Sequence, residues 1–161
     1  MNFKKGMAVA SMVVSFSALA QAEETEEWKG PAPAEKAHIG ALMGLGMDGD
    51  ARFALLGTAS WRIVEQGFAP EINNQVYIET ELGAGLGADT RFLYSVHMRW
   101  DFVRNATWTP FAIGGLSGSS GDNFTLAPRF GVGSFWNVAP GWTVRGEISH
   151  DLLVAGISYG F

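Results

Sequence analysis

The sequence predicts an all-β protein, an eight-stranded antiparallel up-and-down β-barrel that crosses a membrane. Three observations support this prediction. Apolar residues alternate with polar or small ones through eight segments, most of the turns between the segments are short, and the tryptophans collect at one set of strand ends. Alternation with a period of two gives a strand two chemically different faces. In a small membrane barrel, one face meets lipid and the other fills the lumen.

The final segment ends in two aromatic residues on one face. Its apolar row is Leu153, Ala155, Ile157, Tyr159 and Phe161. A large side chain left in water forgoes about 1.5–3 kcal/mol of burial energy, whereas aromatic rings suit the membrane–water interface. The segment resembles the last strand of bacterial outer-membrane β-barrels, and this resemblance implies that Tyr159 and Phe161 form the signal read by the barrel-assembly machinery. An amphipathic edge strand of a soluble protein is the alternative.

The first 22 residues predict a secretory signal peptide. Lys4 and Lys5 precede an apolar run over 6–19, and Ala20-Gln21-Ala22 supplies the small-residue cleavage site. The acidic, proline-containing stretch 23–37 is expected to be a flexible periplasmic lead-in, and 38–161 the barrel. After residue 22, nine basic residues stand against sixteen acidic ones, and the net charge of −7 argues against nucleic-acid binding. The chain has no cysteine, which excludes disulfides and thiol chemistry.

Eight segments have the length and pattern of strands. They lie at 38–47, 51–64, 75–86, 91–103, 107–116, 124–136, 142–149 and 152–161. A tilted strand needs about 9–11 residues to cross a bilayer. An even number of strands returns both termini to one side of the membrane, expected here to be the periplasm. The segment at 107–116 is rich in glycine and ambiguous in its facing, and we expect Phe111 and Ile113 to point outward.

The aromatic residues sort by strand end. If the first strand runs outward, the periplasmic rim contains Trp61, Trp100, Trp108, Trp136 and Trp142, joined by Tyr159 and Phe161. Phe53, Phe92 and Phe124 fall at the opposite rim. Two aromatic girdles flank the apolar band of membrane barrels. The pattern therefore favours a bilayer over a soluble sandwich as the environment.

The inward faces carry most of the charge in the strands. The expected lumen network consists of Arg62, Glu79, Glu81, Arg91, His97, Arg99, Asp101, Arg129, Arg145 and Glu147. Eight strands enclose a space just wide enough for side chains, and unpaired charges are costly there. A three-residue turn at 88–90 would place Glu79 opposite Arg99 and Glu81 opposite His97. We interpret the network as a structural plug, with a gated pore or proton path as the alternative.

Neither a catalytic site nor a metal site is expected. Ser149-His150-Asp151 contains the residue types of a hydrolase triad, but neighbouring strand residues point to opposite faces, so Ser149 and His150 do not easily share a site. The three histidines, His38, His97 and His150, are far apart in sequence and do not show the convergence that a metal requires. No cofactor is expected.

The pattern over 38–161 resembles the small eight-stranded outer-membrane barrels of the OmpA transmembrane-domain and OmpX type. The resemblance implies a bacterial outer-membrane location and contacts with outer-membrane lipid and lipopolysaccharide. A monomer without enzymatic activity is expected. The expected outer turns, at 48–50, 88–90, 117–123 and 150–151, are short, which argues against an adhesin. A structural role in the envelope is the leading expectation. A narrow channel for ions or small solutes and a lipid A-modifying enzyme are the alternatives.

Overall fold

Eight antiparallel strands close into one barrel in the computed structural model, which describes residues 27–29, 33–47, 52–121 and 124–161. The strands are β1 (Ala37–Gly46), β2 (Phe53–Val64), β3 (Asn74–Leu86), β4 (Arg91–Phe102), β5 (Trp108–Ser120), β6 (Thr125–Ala139), β7 (Trp142–Ser149) and β8 (Leu152–Gly160). Each strand pairs with its neighbours in sequence, and β8 pairs with β1. The predicted fold class and strand number are confirmed. The predicted signal peptide, 1–22, lies outside the described residues.

Alternation along the strands separates lipid-type from lumen-type side chains. On β1, Ile39, Met43 and Leu45 are 52%, 57% and 55% exposed, whereas Leu42 on the opposite face is 2% exposed. The exposed row is apolar, which is the reverse of what a water-soluble barrel presents to solvent. Before the first strand, a short 3₁₀ turn covers Glu27–Lys29. None of the helical structure in the described part of the chain is long and apolar enough to cross a membrane.

The strand register shows that the strands are strongly tilted. A path perpendicular to the strands runs from Ala37 through Trp61, Ile78, Met98, Gly114, Phe130 and the β7–β8 turn. It returns to β1 at Met47, ten residues further along. A shift of this size in a closed sheet goes with a strand tilt of about 35–45°. Side chains distant in sequence therefore meet across the lumen.

The two ends of the barrel have different interiors. At the turn end of the barrel, β1, β3, β5 and β7 end, and at the terminal end β1 starts and β8 ends. The lumen of the turn end holds an apolar cluster of Leu42, Ala54, Leu56, Leu152 and Val154. The lumen of the terminal end holds Phe111, Ile113 and Phe135. Buried charged side chains fill the layer between these two clusters.

The register of the β3–β4 hairpin differs from the predicted one by two residues. Glu79 lies opposite His97, and Arg99 lies opposite Tyr77, so the predicted Glu79–Arg99 and Glu81–His97 register pairs are wrong. The last pair before the turn is Gly85–Arg91, which leaves five residues in the turn instead of the expected three. Two extra turn residues shift every partner by two. Side-chain facing is preserved, because it repeats with a period of two.

The expected facing of β5 is also wrong. Phe111 and Ile113 point into the lumen and are 2% and 5% exposed. They lie opposite Gly133 and Gly131 of β6. A Cβ atom on Gly133 would be 2.2 Å from Phe111 Cζ, so the absence of side chains on β6 provides the space that the two apolar groups of β5 fill.

Candidate functional site

The charged layer of the lumen is the candidate functional site. Eight ionisable side chains in it are buried, and each is 5% exposed or less: Glu79, Glu81, His97, Arg99, Asp101, Arg129, Arg145 and Glu147. They come from only four strands, which form two hairpins, β3–β4 and β6–β7. Charge buried this deeply is stable only when it is paired and hydrogen-bonded.

Arg99 binds two carboxylates of its own hairpin. Its Nε and Nη2 atoms donate to the two oxygens of Asp101 at 2.8 and 3.1 Å. Its Nη1 atom donates to Glu79 and to Ser60 Oγ of β2 at 3.3 Å. Such a fork between a guanidinium and a carboxylate is a strong, geometrically specific pair. The expected Arg99–Glu79 contact therefore forms, although the two residues are not directly opposite each other.

Two further arginines extend the network across the lumen. Arg129 Nη2 donates to Glu147 Oε1 at 2.7 Å, and its Nη1 donates to Glu81. Arg145 donates to Glu147, and its Nη1 lies 2.6 Å from Glu79 Oε1. Glu79 and Glu81 belong to β3, whereas the two arginines belong to β6 and β7. The ion pairs Arg129–Glu81 and Arg145–Glu79 therefore join the two hairpins.

His97 connects two glutamates through Ser95. Its Nε2 atom is 3.1 Å from Glu79 Oε1, and its Nδ1 atom is 3.3 Å from Ser95 Oγ. The Ser95 hydroxyl in turn donates to Glu81 Oε2 at 3.0 Å. These contacts link Glu79 and Glu81 of β3 through two inward side chains of β4.

Aromatic rings cover the arginines on the side of the terminal end. The Arg99 guanidinium lies 4.6 Å from the Tyr77 ring centroid and 4.7 Å from that of Phe135. Arg145 lies 5.0 Å from the Phe111 ring. Cation–π contacts of this kind gain strength when the cation is desolvated. Tyr77 and Ser95 were not among the predicted site residues, although both share the inward parity of their strands.

Two of the predicted network residues lie at the mouths of the barrel instead. At the terminal end, Arg62 Nη1 donates to the Pro33 carbonyl at 2.9 Å. Tyr77 Oη donates to the Glu35 carbonyl at 3.2 Å, so residues 33–35 lie across this mouth. At the turn end, Arg91 lines a cavity and makes no ion pair with any described residue. These two arginines do not join the central cluster.

The arrangement of the network favours a structural role over metal binding. Ligand atoms of Glu79, Glu81 and His97 lie within 4.8 Å of one another. Guanidinium groups already contact both carboxylates: Arg99 and Arg145 contact Glu79, and Arg129 contacts Glu81. A metal ion would have to compete with these cations at the same oxygens.

The Ser149-His150-Asp151 sequence does not form a hydrolase relay. Ser149 Oγ donates to Asp151 Oδ1 at 2.7 Å, and His150 Nδ1 lies 3.8 Å from that same oxygen. The aspartate, not the imidazole, therefore contacts the serine. A general base on the serine hydroxyl would require the imidazole in that position.

The pKa of Asp151, in the β7–β8 turn, lies below its ordinary value. Burial raises this pKa, but the charge of Arg129 and hydrogen bonds from Ser149 and Ser117 outweigh burial. A carboxyl with a lowered folded pKa stabilises the fold above its unfolded pKa, and this contribution is lost as the pH falls through the folded value. We expect the stability difference between wild type and Asp151→Asn to be larger at pH 6 than at pH 3. Urea unfolding of the detergent-folded barrels measures it, and an equal difference at both pH values would contradict the assignment.

The aromatic residues predicted for one rim lie at the terminal end. Trp108 pairs with Trp136, and Trp142 pairs with Tyr159. The Trp142 and Tyr159 rings have centroids 5.1 Å apart. Phe161 stacks on Tyr159 at 6.5 Å. Trp61 on β2 and Trp100 on β4 lie at the same end of the barrel.

Comparison with known proteins identifies the class of fold. No protein-family model and no curated protein matches the chain. Among solved structures it is similar to a de novo designed transmembrane β-barrel, with 17% identity and a TM-score of 0.59 over 80% of this chain and 98% of that one. A second designed barrel, TMB2.3, has 18% identity and a TM-score of 0.57 over 79% and 94%. The fold is therefore that of an eight-stranded transmembrane β-barrel.

A natural outer-membrane protein also aligns with the chain. The Yersinia pestis outer membrane protein Ail, solved in a phospholipid bilayer nanodisc, has 13% identity and a TM-score of 0.49 over 79% of this chain and 99% of that one.

Proposed function

We propose that this chain is an integral protein of the bacterial outer membrane with a structural role in the envelope and a plugged lumen. The transmembrane barrel fold, the apolar outward face and the tryptophan-rich terminal end support a position in a bilayer. The terminal aromatic pair Tyr159 and Phe161 supports export to the outer membrane, with recognition by the barrel-assembly machinery.

The buried and paired charged layer is the observation that supports this role most strongly. Arg99, Arg129 and Arg145 each contact at least two carboxylates, and all three side chains are 1% exposed or less. Apolar clusters lie on both sides of the layer. An ion passing through would have to displace arginines from desolvated pairs, which costs several kcal/mol for each pair broken.

Reconstitution in a planar bilayer tests the plug. We expect wild-type protein to give no steady unitary openings, because an ion crossing the charged layer would have to disrupt buried ion pairs. Steady openings whose size falls in the lumen variant Ser60→Phe would contradict the plug and identify a narrow channel. A lipid-facing variant of similar size change, Ala59→Phe, serves as the control, since Ala59 lies on the opposite face of β2.

Replacement of Phe161 by alanine tests the proposed assembly role. The backbone of Phe161 would keep its hydrogen bonds, donated by Lys36 and Ala37 to its carbonyl at 2.9 and 3.1 Å. We therefore expect the urea stability of the refolded barrel to change by less than about 1 kcal/mol, as is usual for a surface site. We expect the amount recovered in outer-membrane fractions of cells to fall several-fold.

The outcome that contradicts the assembly role is normal outer-membrane abundance of Phe161→Ala. Phe130→Ala, another exposed aromatic on the outward face, is the matched control and should accumulate normally.

A further inference from the structure

The rim of the turn end has a notch at the β7–β8 hairpin. The β6–β7 ladder begins at Gly131–Ser149, and the last contact beyond it is His150 N to Phe130 O at 3.3 Å. Residues 125–129 of β6 extend past this hairpin without a β7 partner, over about 17 Å at 3.4 Å per residue. On the other side of the hairpin, β1 pairs with β8 up to Gly46–Leu152. The wall of the barrel is therefore lower here than at the neighbouring β5–β6 hairpin.

A cavity of about 290 Å³ lies behind the notch. Its deeper walls are formed by Leu56, Leu93 and Leu152. Thr125 and Ala127 also line it and are exposed, although they share the inward parity of buried Arg129. Their exposure, together with the missing β7 partner, indicates an opening of the cavity beside β6. The cavity has room for a chain of roughly ten methylene groups, if each takes about 30 Å³, the share of one water molecule in the liquid.

The surface outside the notch is apolar. Leu126 on β6 and Met47 at the end of β1 are 56% and 51% exposed, and both lie beside the gap. Phe124, just before β6, is also exposed. An exposed apolar surface that continues above the hairpin places the opening beside the hydrocarbon of the adjacent leaflet rather than in water.

The charge at the rim of the cavity favours an anion. Arg91 is half-buried in the cavity wall and makes no ion pair with any described residue. The two acids that line the cavity already have partners: Glu81 contacts Arg129 and Arg145, and Asp151 accepts hydrogen bonds from Ser149 and Ser117. Among the described residues, no carboxylate therefore competes with a ligand for the Arg91 guanidinium.

We propose that this notch is a lateral binding site for a single-chain anionic lipid from the adjacent leaflet. The acyl chain enters between β6 and the β7–β8 hairpin and packs on Leu56, Leu93 and Leu152. The carboxylate or phosphate head group binds Arg91. This site would add lipid binding to the structural role proposed above. The proposal depends on the transmembrane barrel fold and not on that structural role.

Dodecanoate binding to the full barrel in phosphatidylcholine nanodiscs tests the site. In ¹⁵N-edited spectra we expect saturable amide shifts at Leu93, Ser119 and Leu152, and none at Thr109 near the terminal end. Arg91→Gln should weaken dodecanoate binding about tenfold or more, the loss expected for one hydrogen bond to a charged group, and should leave the binding of uncharged dodecanol unchanged. Arg104→Gln, at the opposite end of the barrel, is the control and should bind dodecanoate as wild type does.

Closing the notch provides the second test. Ala127→Trp should abolish the shifts from both dodecanoate and dodecanol while the circular dichroism spectrum stays that of the wild-type barrel. Dodecanoate and a twelve-carbon lysophosphatidylglycerol distinguish a free fatty acid from a phospholipid as the source, according to which binds more tightly. The proposal is overturned if the cavity amides show no saturable shifts, if Arg91→Gln binds dodecanoate as tightly as wild type, or if Ala127→Trp binds it unchanged.

Discussion

Replacing Arg145 with methionine is expected to destabilise the barrel by about 3–5 kcal/mol, the usual cost of removing one partner from a buried ionic network. Arg145 is fully buried and contacts Glu79, Glu147 and Glu81. Methionine fills much of the same volume but leaves these carboxylates with one cation fewer. The loss therefore comes from desolvated negative charge rather than from a cavity.

Urea unfolding of the detergent-folded protein, followed by tryptophan fluorescence, measures this effect. Arg91→Met is the matched control, because Arg91 also faces the lumen but makes no ion pair with a described residue, and its effect should stay below about 1 kcal/mol. Adding Glu79→Gln to Arg145→Met should recover part of the loss by removing one stranded charge. Equal destabilisation by Arg145→Met and Arg91→Met would refute the network as a source of stability.

Replacing Gly44 with alanine is expected to cost about 3 kcal/mol or to prevent folding, at the upper end of the effects of overpacking. Gly44 lies on β1 where β1 closes against β8, opposite Val154. A Cβ atom at Gly44 would be 1.9 Å from the Leu153 carbonyl oxygen and 2.7 Å from Val154 Cα. Both obstacles are backbone atoms of the neighbouring strand, so no side-chain rotation relieves the clash, and the two strands must separate.

Gly57 provides the matched control for Gly44. A Cβ atom there would have the Leu82 carbonyl oxygen as its nearest neighbour, at 3.8 Å, which is an ordinary contact. Alanine restricts the unfolded chain more than glycine does, so Gly57→Ala should be neutral or stabilise by up to about 1 kcal/mol. The same urea titration compares the two variants, and similar stabilities for both would show that β1 and β8 do not approach as closely as described.

The strand number, the strand order and most side-chain facings could be predicted from the sequence because they depend on local information. Alternation with a period of two assigns a face to every residue of a strand once one residue is placed. On β4, Arg99 and His97 share a parity opposite to that of Phe92 and Met98, and the structure buries the first pair and exposes the second.

The facing of β5 could not be predicted because it depends on another strand. Its two faces carry similar apolar and glycine content, so the local pattern gives no preference. The choice depends on Gly131 and Gly133 of β6, which leave space inside the barrel for Ile113 and Phe111. Such complementarity becomes visible only when the register of the neighbouring strand is known.

The sequence alone also could not predict which residues of the charged layer pair with each other. Local alternation gives the inward position of each charge, but the tilt of the strands decides which charges meet across the lumen. Arg129 and Glu81, for example, are 48 residues apart in the chain and on strands that are not neighbours. The β3–β4 register depended further on a turn two residues longer than the expected three.

The division of the charged layer between two hairpins has a kinetic consequence. Arg129 and Arg145 on β6 and β7 can reach Glu81 and Glu79 on β3 only after the sheet has curled so that the two hairpins face each other. In an open sheet these ion pairs do not exist. They therefore contribute little to the rate at which the barrel forms and act mainly on the barrier to its opening, since interactions absent from the folding transition state slow unfolding. The charged residues that fill the lumen therefore also slow the unfolding of the closed barrel.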